Sequence, residues 1–199
     1  MGDKDLVERY EMLCKSEGVV SDINEHLPTF VAAVEELKAT RVIELGVRYG
    51  VSTIAWLHAL KGRGNLWAVD CSFPVVEPGW GINLLDPQGA LGVQDHWVFL
   101  LGTDTQKQVL DSLPKEVDIV FIDTNHVYEE TLAELDLYVP RVREGGRVFL
   151  HDTAIETTGN ATTPQPPFPV RTAMEEWCSE HDLRFSNAEN CFGLGTIYC

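Results

Sequence analysis

Residues Val117 to Ile122 (Val-Asp-Ile-Val-Phe-Ile) form a short, almost continuously apolar run rich in β-branched side chains. That is the pattern of a strand covered on both faces, so the fold must supply flanking strands and two covering layers. Further strand signals fall at Arg41–Leu45, Leu66–Val69, Trp97–Leu101 and Arg147–Leu150, the last opened by Gly145-Gly146. Helical spacing appears between them, at Ser52–Leu60 and from Tyr128 to Val142. A helix over Val170–His181 and two strands, around Leu183 and at Leu194–Tyr198, complete the carboxyl-terminal part. Two amphipathic helices, Lys4–Lys15 and His26–Lys38, come first; Phe30, Val31, Val34 and Leu37 give the second one buried face. Strands alternating with helices imply right-handed crossovers and a mainly parallel α/β sheet with helices on both faces. One domain over residues 1–199 is expected, with amino-terminal helices over 1–40 and the sheet core over 41–199. In such folds ligands bind at the carboxyl ends of the strands, so the residues just after each strand carry the functional information.

Charge narrows the partners. The 199 residues include 31 acidic and 15 basic side chains, for a formal charge of −16. No Lys/Arg-rich stripe interrupts that excess, so a phosphate backbone is repelled and nucleic acid is not the expected partner. The first residues lack a signal peptide's apolar run, and every apolar stretch is far short of the ~20 residues of a membrane helix. A cytoplasmic protein without membrane contact is expected; its oligomeric state, a homo-oligomer included, stays open. Five scattered cysteines without a Cys-x-x-Cys pair fit free thiols in a reducing compartment, although spacing alone leaves a Cys191–Cys199 bridge open. Two long connections, Cys71–His96 and Thr153–Pro169, are candidate lids over a site or plain insertions.

The first strand runs into Glu44-Leu45-Gly46-Val47-Arg48-Tyr49-Gly50-Val51-Ser52. Two glycines four apart, between a strand and a helix, let the backbone turn tightly and approach a ligand. The dinucleotide pattern Gly-x-Gly-x-x-Gly fails, because Arg48 and Val51 stand where its second and third glycines belong. An NAD-dependent oxidoreductase is disfavoured on that ground.

These residues resemble the first motif of the class I S-adenosylmethionine-dependent methyltransferases, an acid, two glycines four apart and a hydroxyl residue, matched by Glu44, Gly46, Gly50 and Ser52. The resemblance implies a Rossmann-like three-layer sandwich with a seven-stranded, mainly parallel sheet whose last strand is antiparallel. It also implies S-adenosylmethionine as cofactor, with Asp70 at the end of the next strand holding the ribose hydroxyls. Asp104, after the third strand, falls where the family positions the adenine. For Asp70 and Asp104 helix capping or turn chemistry is the competing account.

The fourth strand ends in Asp123-Thr124-Asn125-His126-Val127-Tyr128-Glu129 and the fifth in His151-Asp152. This pair of motifs resembles a branch of small methyltransferases, and more distantly the catechol-type O-methyltransferases. In the latter, an acid after the fourth strand and an acid–amide pair after the fifth bind a divalent metal, and a Lys three residues beyond the first acid is the base. By that likeness Asp123, His151 and Asp152 fall on the metal-ligand positions and His126 on the base position. A His at 151 makes the site softer than Mg²⁺ prefers. A His at 126 has an ordinary pKa near 6.5 and could accept a proton at neutral pH. Three accounts stay open: a metal held by Asp123, His151 and Asp152; metal-free acid–base chemistry with Asp123 orienting an imidazole; and Asp123 merely capping the next helix.

The expected function is methyl transfer to a small-molecule acceptor, most plausibly a hydroxyl oxygen. A non-catalytic protein that binds the adenosyl cofactor is the alternative. Arg48, Tyr49 and Trp80 are weaker contacts for cofactor or substrate, Trp56 reads as core, and His26, His58, His96 and His181 read as structural. Glu44, Asp70, Asp104, Asp123 and Asp152 share one rim of the sheet. Acids such as Glu129, Glu130, Glu134 and Asp136 lie on a helix, where solvation suffices to explain them.

Overall fold

The computed structural model describes residues 22–48, 50–60, 62–72, 96–157 and 161–199. The Lys4–Lys15 helix, Tyr49, Trp80 and most of the 71–96 connection lie outside the described residues. Helix α1 (Leu27–Leu37) carries Pro28 in its first turn, where a missing N–H costs nothing, and stops at Lys38 in a left-handed conformation. Strand β1 (Arg41–Leu45) follows, then α2 (Val51–Leu60) and β2 (Asn65–Asp70). After the long connection come β3 (Trp97–Leu101), a short α3 (Lys107–Ser112) and β4 (Val117–Ile122). Helix α4 (Tyr128–Tyr138), β5 (Val142–His151), α5 (Pro169–Glu180), β6 (Arg184–Ala188) and β7 (Leu194–Tyr198) complete the chain.

Seven strands pair in the order β3-β2-β1-β4-β5-β7-β6. Those from β3 to β5 are parallel; β7 runs antiparallel to both β5 and β6. The expected Rossmann-like three-layer sandwich is the fold observed. Period-2 alternation divides the strand residues between two cores. Phe121 and Phe149 meet Phe30 of α1 and Trp56 of α2 on one face, with Phe30 and Trp56 stacked at 4.4 Å. Val120, Ile122, Val148 and Leu150 face Leu135 of α4 and Met174 of α5 on the other. Each such side chain contributes about 1.5–3 kcal/mol by burial. Among the described residues no helix is long and apolar enough to cross a membrane.

Asp118 interrupts the apolar run of β4 for a reason visible at the far end of the sheet. Its carboxylate accepts from the Thr40 and Arg41 N–H groups at 2.8 and 2.9 Å and pairs with Arg143 Nε at 2.6 Å. Burial alone would raise its pKa, but these donors hold it below the usual carboxylate range.

Several boundaries differ from the sequence reading. Helix α4 stops at Tyr138 rather than Val142, because Val139-Pro140-Arg141 tighten into a 3-10 turn. Strand β5 starts before the glycine pair, not after it: Gly145 N donates to Cys199 O and Cys199 N donates to Gly146 O. Glu134 of α4 is 2% exposed, not solvated. No Cys191–Cys199 bridge forms; both thiols are free, as are Cys71 and Cys178. The Cys191 thiol donates to Asp22 O instead.

Candidate active site

Where β1 leaves the sheet, the chain turns left-handed at Gly46, with φ 87°. A Cβ there would lie 1.9 Å from the Asp123 carbonyl oxygen, so only glycine lets the exit of β4 pass. Gly50, also left-handed, donates its N–H to Val47 O at 2.7 Å and leads into α2. Asp70 fastens this turn. One carboxylate oxygen accepts from the Val47 and Arg48 N–H groups at 2.8 and 3.0 Å, the other from Ser72 N and Oγ at 2.8 and 3.1 Å. Burial pulls its pKa upward, but the Arg48, Val47 and Ser72 donors prevail and hold it below the usual range. All four acceptor positions of the carboxylate are therefore filled by the protein. Turn chemistry thus accounts for the whole of Asp70 in this arrangement, and a ribose hydroxyl would have to displace the Ser72 hydroxyl. Asp70→Ala is expected to cost about 1–3 kcal/mol in urea denaturation, because the buried Val47 N–H and the Arg48 and Ser72 N–H groups that close the turn lose their acceptor.

Glu44 points elsewhere. It is fully buried, with Ser52 Oγ and Thr53 Oγ1 each donating to it at 2.6 Å. Burial pushes its carboxyl up to about 8, the two hydroxyls opposing. Its contribution to stability is whole below its ordinary value of 4.5 and is lost as pH rises through about 8. The urea midpoint should therefore fall between about pH 5 and pH 9, and Glu44→Gln should flatten that fall.

At the ends of β4 and β5 four side chains converge. His126 Nε2 lies 3.1 Å from Asp123 Oδ1 and 2.9 Å from Asp152 Oδ2. His151 Nδ1 lies 3.6 and 3.4 Å from the same two acids, while its Nε2 donates to Cys191 O at 3.0 Å. Burial lowers the pKa of both imidazoles, but hydrogen bonds to Asp123 and Asp152 outweigh it and push them up to about 9 and about 11. Burial likewise raises both acids, and the imidazoles hold them below their usual range. Two imidazolium ions thus balance two carboxylates. His126 and Asp152 both adopt left-handed φ angles, 59° and 61°, the kind of local strain that clusters at working sites. Asp123 does not cap α4, whose N-cap is Val127 without a side-chain bond.

The turn and the cluster face one cleft of about 520 Å³, lined at the strand ends by Gly46, Asp70, Gly102, Asp104, Asp123 and Asp152. That volume falls in the range of small-molecule sites. Residues 43–153, more than half of the chain, match the sequence family described as a methyltransferase domain. The chain belongs to that family.

The kinship with class I S-adenosylmethionine-dependent methyltransferases read from the motifs is thereby borne out. Among solved structures, the methyltransferase-family chain superposes on the O-methyltransferase TomG of Streptomyces achromogenes, solved with S-adenosylmethionine. The TM-score is 0.70 at 16% identity, over 97% of this chain and 88% of that one. An O-methyltransferase of Bacillus cereus, solved with S-adenosylhomocysteine, gives 0.68 at 15% identity over 100% and 92%. At such identities the likeness is one of fold. A curated relative, the uncharacterised protein R132 of Acanthamoeba polyphaga mimivirus, is 39% identical over 44 residues, 22% of this chain. The chain spans about a fifth of the length of that relative.

Of the residues singled out in the sequence, Gly46, Ser52, Asp70, Asp104, Asp123, His126 and Asp152 line the cleft of this methyltransferase-family chain, and Glu44, Gly50 and His151 do not. One donor set differs from expectation. The atoms that lie within 4.8 Å of one another belong to Asp123, His126 and Asp152, so His126 takes the place read for His151. The ordinary pKa near 6.5 read for His126 does not hold, since the two carboxylates raise it to about 9. Arg48 lines the cleft and reaches Asp22 at 3.4 Å. His26, read as merely structural, is buried edge-to-face on His151, centroids 5.7 Å apart. Its distance of 125 positions along the chain hid that pairing from sequence patterns, as did Glu134's place on a polar helix.

Proposed function

We propose that this chain transfers the methyl group of S-adenosylmethionine to a hydroxyl oxygen of a small molecule. The observation that carries the reading is the single cleft in which the glycine turn fastened by Asp70 faces the Asp123–His126–Asp152 group. Gly46, Gly50, Ser52 and Glu44 shape the turn, Glu44 from beneath it rather than by contact. Asp70 would take the ribose hydroxyls as Ser72 rotates away, and Asp104 the adenine. The solved relatives that carry adenosyl ligands, and TomG's part in tomaymycin synthesis, agree with a small acceptor.

A sulfonium cofactor supplies an electrophilic methyl that leaves a neutral thioether. The chain's own residues bring the acceptor into line, exclude water and take the hydroxyl proton. That proton passes to the Asp123–His126–Asp152 group, where His126 takes it in the fraction of molecules whose imidazole is neutral, the two carboxylates being held too acidic to accept it. The same three residues fit a divalent cation: two oxygen donors and one nitrogen favour Mn²⁺, Fe²⁺ or Zn²⁺ over Mg²⁺. Such an ion would make a bound hydroxyl more acidic. Because His126 holds a proton that a cation must replace, metal binding is expected to release protons and to tighten as pH rises. Titration calorimetry of Mn²⁺ and Zn²⁺ in buffers of different ionisation enthalpy checks this, and binding that survives Asp123→Ala with no proton release would exclude the site.

Calorimetry with S-adenosylmethionine, S-adenosylhomocysteine and NAD, followed by a panel of hydroxylated acceptors, tests the function. Adenosyl-ligand binding and methylated product are expected. NAD binding alone would overturn the reading, and cofactor binding with no transfer to any acceptor would leave a binding protein.

A further inference from the structure

Behind Asp104, in the wall of the cleft near β3, lies a second acid, Glu134, that the proposed reaction does not use. Glu134 is 2% exposed, and its Oε1 accepts from Thr124 Oγ1 at 2.5 Å. Its Oε2 is sealed from solvent and meets no N–H or O–H donor among the described residues. What Glu134 does meet is Asp104, carboxyl against carboxyl in hydrogen-bonding contact. Two carboxylates cannot make that bond; one of them must carry a proton. Asp104 lines the open cleft and Glu134 does not, so the proton belongs on the sealed partner. Asp104 is held from a second side, where Tyr138, itself fully buried, donates its hydroxyl to the Asp104 carbonyl at 2.7 Å.

We infer that Glu134 is a positioning residue: its carboxyl donates to Asp104 and fixes the Asp104 carboxylate to accept from a ligand N–H, as the exocyclic amine of an adenine offers. This rests on the proposed adenosyl cofactor and adds to it a residue that never touches the ligand. Burial first, and the neighbouring Asp104 next, raise Glu134 well above the usual carboxylate range, with Glu130 adding and Thr124 opposing. A glutamine at 134 preserves the arrangement, its amide donating to Asp104 and its carbonyl accepting from Thr124. A leucine of similar size removes both bonds.

The test measures binding of S-adenosylhomocysteine and of S-inosylhomocysteine, which lacks the amine, to the wild type, Glu134→Gln and Glu134→Leu. Glu134→Gln should keep the wild-type preference for the adenosyl ligand. Glu134→Leu should weaken that ligand about tenfold and leave the inosyl ligand unchanged, so that discrimination collapses. Infrared difference spectra at neutral pH give a readout that does not depend on the leucine variant folding. The wild-type-minus-Glu134→Gln spectrum should hold a protonated-carboxyl carbonyl band, that of Glu44 cancelling because both proteins carry it. Equal weakening of both ligands, or no such band, overturns the inference while the cofactor reading stands. A wild type that binds neither ligand overturns both.

Discussion

Gly46→Ala is expected to cost about 2–6 kcal/mol and to disable the site with the same substitution. The methyl group would be built 1.9 Å from the Asp123 carbonyl oxygen, a contact that must be relieved by moving backbone, not a flexible side chain. The φ of 87° adds strain that any L side chain carries there. Because the atom in the way belongs to Asp123, relief displaces the acid that pairs with His126. Urea denaturation with adenosyl-ligand calorimetry checks both parts. A variant with wild-type stability and affinity would show that the two strand exits are not held as closely as the structure has them. Against a total stability of about 5–15 kcal/mol, the loss is large enough to lower the folded population at physiological temperature.

His126→Ala is expected to lower turnover by about 10²- to 10⁴-fold and to leave cofactor affinity within about twofold. The imidazole contacts Asp123 and Asp152, not the glycine turn. Its removal leaves the two acids with His151 as their one imidazole partner, so neither will orient an acceptor as before. The left-handed φ at 126 complicates alanine, so His126→Asn is the companion: asparagine tolerates that conformation and keeps an N–H donor. Loss of turnover in both, with unchanged circular dichroism, assigns the effect to the imidazole. Unchanged turnover in either removes His126 from the reaction.

The sheet was legible because its signals are local. Trp97–Leu101 and Val117–Ile122 begin and end where their apolar patterns do. Helix α3 was missed for the complementary reason: six residues with only Val109 buried are too short and too polar to show a period. In the candidate site, Asp123, His126, His151 and Asp152 could be named because strand ends mark them. Their charge states could not. Whether an imidazole near pKa 6.5 stays neutral depends on two carboxylates that only the neighbouring strands bring within 3.1 Å. Glu134 shows the same limit on a helix, where a face that reads as solvated is turned inward by packing against β4 and Asp104.

The adjacency of β1 and β4 also bears on how the molecule is made. Thr40 and Asp118, joined by a hydrogen bond, are 78 positions apart, and β2 and β3 must be synthesised between the two central strands. Non-local parallel pairing of this kind carries its loop-closure entropy before its contacts form, and it makes folding slow. The cleft therefore has no partial precursor, since the nascent chain reaches β1 and its glycine turn long before the β4 exit that completes them. A ligand of this cleft would bind only after the central strands have joined. It would then retard unfolding without accelerating folding.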